Sequence, residues 1–395
     1  MASNTLLTPS MITREALRVL HQKLNFVGNI DRQYDSQFAQ DGAKIGTALR
    51  IRKPARYTVT DGATFSAQDS AEEEVTLNVT SQKHVGMEFT SADLTMKIDD
   101  FRDRFIEPAM AVLAAKVEAD ALNMISDCNN QVGTPGTSPT FKTLLQARKS
   151  LVDELAPGSE RCLILNTTDS VELVDSLKGL FQDSTQISKQ YREGMLGRTA
   201  GFGDIYENTL LTQASRGAAD ANYQVNGTVT SGDAVLPVDT GTGALVVGDI
   251  LTCAGVNRVH PETKADTGVL QKFVVTAAYA GGAGSVAVDP PFNATANGRQ
   301  NITAVPADNA AITVLCTAST AYERSIAFHK NAFTFATADL VLPKGTDFAA
   351  REVYDGISLR LIRDYDFVND QIRTRCDVLY GYKTLRRELA CRVAG

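Results

Sequence analysis

The chain has 395 residues, of which 43% are apolar and 22% charged, and its net charge at pH 7 is −7. This length provides enough apolar surface for two or three cores, and the composition excludes a disordered chain. A dedicated nucleic-acid-binding protein carries a strongly basic face, so the negative charge argues against that class. A container for nucleic acid remains compatible with the charge, because an acidic wall would repel the phosphates of packaged DNA.

The cysteines and the N-terminus bear on where the protein is made. The six cysteines stand singly, without a C-x-x-C pair, which favours reduced thiols in a cytoplasm over a secreted disulfide scaffold. The first residues lack the basic region and apolar run of a signal peptide, so none is expected. No stretch approaches 18 uninterrupted apolar residues, so no membrane span is expected either.

The first third of the chain predicts an N-terminal helix followed by a charged ribbon. Residues 11–25 carry apolar side chains at helical spacing, and residues 49–59 and 75–79 alternate as two strands do. One arm of the ribbon is basic and the other acidic, and the charged positions are Arg50, Arg52, Arg56, Glu72, Glu73 and Glu74. A two-stranded ribbon is marginally stable alone, so these residues are inter-subunit contact candidates. The alternative is a charged face in solvent.

Residues 98–125 show the longest helical pattern in the chain. Two apolar stripes lie on different sides of this helix, which indicates a helix packed between two layers, with Glu118 mostly opposite the stripes. Pro108 predicts either a kink or a second helix start, and both alternatives stay open.

A helix–strand–helix order follows, which indicates a compact α/β domain. Residues 129–140 are expected to form a loop, residues 141–155 an amphipathic helix and residues 161–166 a short buried strand. The helix at 141–155 is expected to turn Phe141, Leu144, Leu145, Leu151, Val152 and Leu155 inward. A further helix should begin near Thr167, and a strand is expected before residue 211.

The pattern changes abruptly near residue 222. Between Asn222 and Leu315 no helical period occurs, and six short β-rich runs alternate with turn residues. Six strands with hairpin-length connections predict a small closed antiparallel β-barrel, inserted because α/β patterns flank it on both sides. Residues 355–385 then predict a long hairpin that turns near Asn369–Asp370.

No pattern of catalytic chemistry is visible in the sequence. The four histidines lack metal-ligand spacing, and serine-hydrolase and phosphate-loop motifs are absent. The cluster of Asp364, Asp366 and Asp370 lacks the glycine and closing glutamate of a calcium loop, so it is expected to be the solvated end of a hairpin. We therefore expect no catalytic residue, no cofactor and no metal. Projecting segments that cannot bury themselves favour a subunit of an assembly.

The order of these parts resembles the major capsid (coat) proteins of tailed double-stranded-DNA bacteriophages. The resemblance is to the short-tailed lambdoid type with an inserted β-barrel, and three stretches carry it besides the order of the elements: YREGMLGRTAGFGDIYENTLL (191–211), GDILTCAGVNRV (248–259) and AFHKNAFTFATADLVLP (327–343). It implies an α+β, Hong Kong 97-type capsid fold. The implied division is an N-terminal arm (1–40), an E-loop ribbon (41–85), a P-domain strand with the spine helix (86–128), an A-domain (129–221), the inserted β-barrel (222–315), a return to the A-domain (316–354) and a P-domain hairpin with the C-terminus (355–395).

The resemblance also implies a function. The protein would be a major capsid protein that self-assembles as pentamers and hexamers into an icosahedral head around a double-stranded DNA genome. Its partners would be its own copies, a scaffolding protein, a portal protein and packaged DNA held without sequence specificity, with no membrane. It would be made in the host bacterial cytoplasm and reside in the virion.

Two other classes stay open, and the N-terminal arm carries one further expectation. An encapsulin-type nanocompartment shell would share the fold but lack the inserted barrel, and an enzyme with an accessory barrel is the third alternative. The arm is expected to serve assembly more than folding, so that a chain without residues 1–28 should remain compact.

Overall fold

The computed structural model describes residues 24–33, 48–65, 67–68, 72–90, 107–177, 199–354 and 357–395. The α-helices in these ranges are α1 Asn25–Gly28, α2 Glu107–Leu122, α3 Phe141–Asp153 and α4 Thr167–Leu177. Short 3-10 helices span Asn123–Asp127, Lys330–Ala332 and Arg387–Leu389. The predicted helix at 11–25 lies almost entirely outside the described residues, as does the part of the predicted long helix before Glu107.

Strands make up most of the remaining regular structure. Those before residue 222 are β1 Ala48–Arg52, β2 Glu74–Asn78, β3 Ser81–Thr90, β4 Asn130–Gly133, β5 Arg161–Leu165, β6 Asp204–Glu207 and β7 Ala214–Ser215. Those between residues 222 and 315 are β8 Gln224–Val225, β9 Val235–Asp239, β10 Ile250–Cys253, β11 Asn257–Val259, β12 Asp266–Leu270, β13 Phe273–Val275, β14 Gly284–Asp289 and β15 Ile312–Val314. The last are β16 Ala321–Tyr322, β17 Arg324–His329, β18 Phe333–Thr337, β19 Phe348–Tyr354, β20 Ile357–Asp366, β21 Gln371–Thr384 and β22 Ala390–Ala394.

The chain divides into two compact units. Unit 1 comprises Met1–Ile51, Val75–Leu122 and Phe333–Lys383, and unit 2 comprises Arg52–Glu74, Asn123–Ala332 and Thr384–Gly395. No helix within the described ranges is both long and apolar enough to cross a membrane.

Unit 1 is built on a five-stranded sheet and helix α2. The strand order is β18-β21-β20-β19, and β3 pairs with β21. Strands β20 and β21 form the hairpin that the sequence predicts, with Asp366 opposite Gln371 and Asp370 in the left-handed region at φ 53°. The alternating apolar residues of these strands bury one face, which is why the hairpin could be read from its period.

Helix α2 is buried along one of its two predicted stripes. Met110, Leu113, Val117 and Ala121 are buried, whereas Val112 of the other stripe is largely exposed. The expectation that both sides of this helix are buried is therefore wrong for Val112 within one subunit. Pro108 is the second residue of the described part of α2, and the kink and the second helix start both stay predictions.

Glu118 is fully buried, so its predicted place opposite the apolar stripes is wrong. Its carboxylate accepts hydrogen bonds from the backbone N–H groups of Phe26 and of Val27, the latter at 3.1 Å. A carboxylate can be buried when backbone donors satisfy its oxygens. The polar residue in the apolar face of α2 thus anchors the N-terminal segment, a long-range pairing that helical periodicity does not encode.

The segment around α1 belongs to the core of unit 1. Phe26 is fully buried and packs on Phe333, with ring centroids 5.4 Å apart. Backbone hydrogen bonds join Asp31 to β18, from Asp31 N to Phe333 O (3.1 Å) and from Phe335 N to Asp31 O (3.0 Å). Removal of residues 1–28 would take Phe26 and Val27 out of the core. That such a chain remains soluble and compact but forms shells poorly stays a prediction.

Unit 2 contains a five-stranded mixed sheet in the order β4-β22-β17-β5-β6. Strand β5 is buried throughout, as predicted. The expected loop at 129–140 contains β4, which pairs in parallel with β22 at the far end of the chain. Turn-rich composition predicted a loop there, but a partner strand some 260 residues away captures its backbone groups.

Helix α3 packs against this sheet with a narrower apolar face than predicted. Leu144 and Leu151 are buried as expected, together with Ala147. Leu145, Val152 and Leu155 are exposed and Phe141 is half-buried, so their predicted inward orientation is wrong within the subunit.

A six-stranded antiparallel sheet occupies residues 224–314, in the order β15-β10-β13-β14-β9-β8. Each of the six predicted β-rich runs supplies one of these strands. The two outermost strands also approach each other, because Ile312 N donates to Tyr223 O (2.9 Å) and Val225 N donates to Ala310 O (3.0 Å). The sheet is therefore nearly closed on itself. The β11–β12 hairpin, which no periodicity had indicated, forms a separate two-stranded sheet.

This sheet surrounds an apolar core of its own. Phe273 and Phe292 are fully buried at its centre, with ring centroids 4.5 Å apart. Aliphatic side chains from all six strands pack around them, including Val225, Leu236, Leu251, Val275, Val286 and Ile312.

The segment 222–315 is expected to fold alone, because its six strands pair with one another and nearly all of its core residues lie within it. Expressed by itself, it should give well-dispersed amide resonances with strand-type shifts. Residues 129–221 serve as the control, because they lack β17 and β22 at the centre of their sheet and should give a collapsed spectrum. A collapsed, exchange-broadened spectrum from 222–315 would contradict the prediction.

Phe26→Ala is expected to lower the free energy of unfolding of the subunit by about 3–5 kcal/mol, because it leaves a cavity beside Phe333. Val112→Ala, on the exposed side of α2, should change it by no more than about 0.5 kcal/mol. Urea unfolding of the two free subunits measures both values. Equal stabilities of the two variants would show that the N-terminal segment is not part of the core.

Candidate assembly interface

The base of the ribbon is a short ladder of two strands. Strands β1 and β2 pair, and the ladder ends where Lys53 N donates to Glu73 O at 2.7 Å. Pro54 follows and has no N–H to donate, so the pairing cannot continue. The predicted strand to residue 59 is wrong for this reason, although its alternation is real at the base, where Ile51 and Leu77 are buried.

Charged residues of the ribbon, among them three of the predicted ones, meet one another across its two arms. Arg52 Nη1 lies 3.3 Å from Glu72 Oε2, and Lys53 Nζ lies 3.9 Å from Glu73 Oε2. The side chains of Arg52 and Glu72 are 77% and 56% exposed. An ion pair this exposed contributes about 0–1 kcal/mol to stability. The pairs therefore leave the ribbon's charges largely available to other groups.

Three predicted residues of the ribbon remain: two lie on the paired strands at its base, and one lies beyond the last hydrogen bond of the ladder. Arg50 and Glu74 occupy exposed positions on β1 and β2. Arg56 reaches away from the ribbon, and its Nη2 lies 3.2 Å from Glu388 Oε1. Contact of these six residues with a neighbouring subunit stays a prediction.

The outer half of the ribbon exposes large apolar side chains. Tyr57, Val59 and Phe65 are 61%, 93% and 89% exposed. Gln68 holds this region together, because its Oε1 accepts from Thr58 N at 2.9 Å while its Nε2 donates to Thr58 O. Large apolar side chains exposed on one short segment are candidates for contact with another molecule.

The acidic cluster is the turn of the β20–β21 hairpin, as predicted. Asp366 accepts hydrogen bonds from Asn369 Nδ2 (2.8 Å) and Val368 N (3.0 Å) and pairs with Arg373 at 3.1 Å. The hydrogen bond from the Asn369 side chain is the main reason that the pKa of Asp366 lies below its usual value. The carboxylates thus organise a turn, whose tip also exposes Phe367.

Burial shifts the pKa values of several cysteines and of one histidine among the described residues. Burial raises the pKa of Cys128, Cys253 and Cys376 to about 12, so these thiols stay protonated at neutral pH and are poor nucleophiles. Burial also lowers the pKa of His329, whose Nδ1 accepts from Asn331 N at 3.2 Å. In the part of the chain that the structure describes, no group of three or more His, Cys, Asp or Glu side chains could hold a metal ion.

Several of the solved structures that resemble the chain come from phages, and another is a virus-like particle from Pyrococcus furiosus. One from Mycobacterium phage Che8 covers 94% of this chain and 90% of its own at 13% identity and a TM-score of 0.48. The mature capsid of bacteriophage PhiM1 covers 89% and 82% at 11% identity and a TM-score of 0.44. The CUS-3 coat protein I-domain covers 25% of this chain and 98% of its own at 29% identity and a TM-score of 0.20. A comparison with curated proteins finds no match.

The sequence itself decides the class, since a family model for a phage coat protein matches almost its entire length. The protein is a bacteriophage capsid protein with an α+β fold. The matching family is described as "P22 coat protein - gene protein 5", and its model matches residues 1–393. The chain therefore belongs to this family.

Arg52→Glu combined with Arg56→Glu is expected to abolish or misdirect shell formation while leaving the melting temperature of the free subunit nearly unchanged. The reversed charges would repel any acidic partner in a neighbouring copy, whereas exposed pairs add little to the subunit's own stability. Light scattering and electron microscopy measure assembly, and calorimetry measures melting.

Lys142→Glu combined with Arg148→Glu is the matched control, because it changes the net charge equally on the exposed side of α3. This control should assemble like the wild type. Added salt should weaken wild-type assembly in the same direction as the ribbon variant. Unfolding of the ribbon variant, or its normal assembly at low salt, would contradict the prediction.

Proposed function

We propose that this protein is the major capsid protein of a tailed phage, with a Hong Kong 97-type fold that assembles as pentamers and hexamers into an icosahedral head. The observation that carries the proposal is the family match across residues 1–393. In this proposal residues 41–85 are the E-loop ribbon, the helix around α2 is the spine and β20–β21 is the P-domain hairpin.

The proposal includes an inserted β-barrel at residues 222–315. It is supported by the hydrogen bonds that link the outermost strands β8 and β15 and by the internal core around Phe273 and Phe292. The A-domain would then comprise residues 129–221 and 316–354.

The ribbon would make the contact between copies. The ribbon combines exposed Tyr57, Val59 and Phe65 in its outer half with the charged residues Arg50, Arg52, Arg56, Glu72, Glu73 and Glu74. Each charge contributes little alone, but in a ring of subunits the charges together set register and disfavour wrong docking.

The remaining partners follow from this role. A head of this kind would enclose double-stranded DNA without sequence reading, and the net charge of −7 fits a wall that does not bind phosphate tightly. A scaffolding protein and a portal protein would take part in its assembly in the host cytoplasm. A nanocompartment shell is the weaker alternative, because the matching family is a phage coat protein and an inserted barrel is not expected in such a shell.

Purified subunits, concentrated at low salt, are expected to form closed particles of uniform curvature in negative-stain images. Bovine serum albumin, which is also negatively charged, is imaged at the same concentration. It controls for aggregation on the grid. Folded subunits that remain monomeric at every concentration, also after co-expression with the other head proteins of the same phage, would contradict the proposed function.

A further inference from the structure

The outer half of the ribbon rests on a loop of its own subunit. A Cβ atom placed on Gly298 would lie 1.9 Å from Arg56 O and 2.4 Å from Arg56 C. Both are backbone atoms, which cannot swing aside as the end of a long side chain can. Only glycine leaves room for this approach, so the Arg56–Tyr57 peptide and Gly298 are in direct backbone contact.

The loop that carries Gly298 is held in a fixed shape. Lys264 Nζ donates to Gly298 O at 2.9 Å and to Gln300 O at 3.1 Å. Asn297 Oδ1 accepts from Arg299 N at 2.8 Å, which closes the turn. Burial lowers the pKa of Lys264, and the nearby charge of Arg56 lowers it further. The loop is therefore a preformed support beneath the ribbon.

Charged side chains hold both arms of the ribbon at this support. The guanidinium of Arg56 pairs with Glu388 at 3.2 Å, and Arg299 Nε lies 3.6 Å from Glu73 Oε1. One contact fixes the basic arm and the other fixes the acidic arm. We call Gly298, Arg299 and Glu388 the ribbon seat.

We propose that the ribbon seat docks the ribbon on its own subunit, and that this self-docking fixes the direction in which Tyr57, Val59 and Phe65 are presented to a neighbouring copy. An ordered ribbon has already lost most of its conformational freedom in the free subunit, so less is lost when the neighbour binds. The consequence for assembly rests on the proposed function, whereas the self-docking is a property of the free subunit.

Limited trypsin digestion of the free subunit tests the self-docking directly. Trypsin cleaves after arginine, and the carbonyl group of the Arg56–Tyr57 peptide bond lies against Gly298. The ribbon seat should therefore protect this bond from cleavage. Gly298→Ala is expected to raise the initial rate of cleavage at Arg56–Tyr57 by about ten-fold or more, because cleavage follows the population of the opened ribbon. Mass spectrometry of the fragments measures this rate.

Gly158→Ala is the matched control, since a Cβ at Gly158 would meet no atom within 4 Å. It should be cleaved at Arg56–Tyr57 like the wild type. Glu388→Gln provides a second variant that keeps the backbone contact and loses the ion pair, and its cleavage should also be faster than that of the wild type. Wild-type rates in both seat variants would overturn the proposal, whether or not the protein forms shells.

Charge exchange then distinguishes self-docking from docking between copies. Arg56→Glu and Glu388→Arg should each impair assembly, and both changes in one chain should restore it in part. A mixture of the two single variants should stay impaired, because each chain still carries two like charges at its own seat. Restoration by mixing would overturn the proposal, because it would place Glu388 against the Arg56 of a neighbouring copy.

Discussion

A two-stranded ribbon buries too little surface to hold itself in one position, and this constraint governs much of the molecule. Its ladder ends at Lys53, because Pro54 cannot donate a hydrogen bond. The outer half is then held by contacts that are not strand pairing, namely the Gln68 side chain and the approach of Arg56 to Gly298. Apolar side chains remain exposed in the outer half of the ribbon, and another molecule could bury them.

The charges of the ribbon have two roles that differ in strength. Across the ribbon, Arg52 and Glu72 are exposed and stabilise the subunit little. Arg56 and Glu388 pair next to the backbone contact between Arg56 and Gly298, and in our proposal this pair helps to hold the ribbon in position. Charge reversal at Arg56 therefore changes the subunit's own geometry as well as its charge toward a neighbour, which is why exchange within one chain and mixing between chains give different information.

Buried polar residues explain how distant segments of the chain are joined. Glu118 in the apolar face of α2 receives the N–H groups of Phe26 and Val27 and so fixes the N-terminal segment in unit 1. In unit 2, β4 and β22 complete the sheet from residues far apart in sequence. The residues between 222 and 315 contrast with both, since their six strands pair with one another and all but one of the buried core residues, Ala219, lie within the segment. Such internal pairing is the physical basis of an independent folding unit.

The sequence by itself determined the elements whose signal is local. The six strands between residues 222 and 315, the hairpin of β20 and β21, the helix α3 and the base of the ribbon all follow from periodicity and turn residues. The family resemblance could also be read from the order of these parts. Only the tertiary structure decided that Glu118 is buried, that residues 130–133 form a strand and that Arg56 meets Gly298 and Glu388. Each of these features depends on a contact with a residue that is distant in the sequence. Local patterns of residues do not indicate which distant residue that will be.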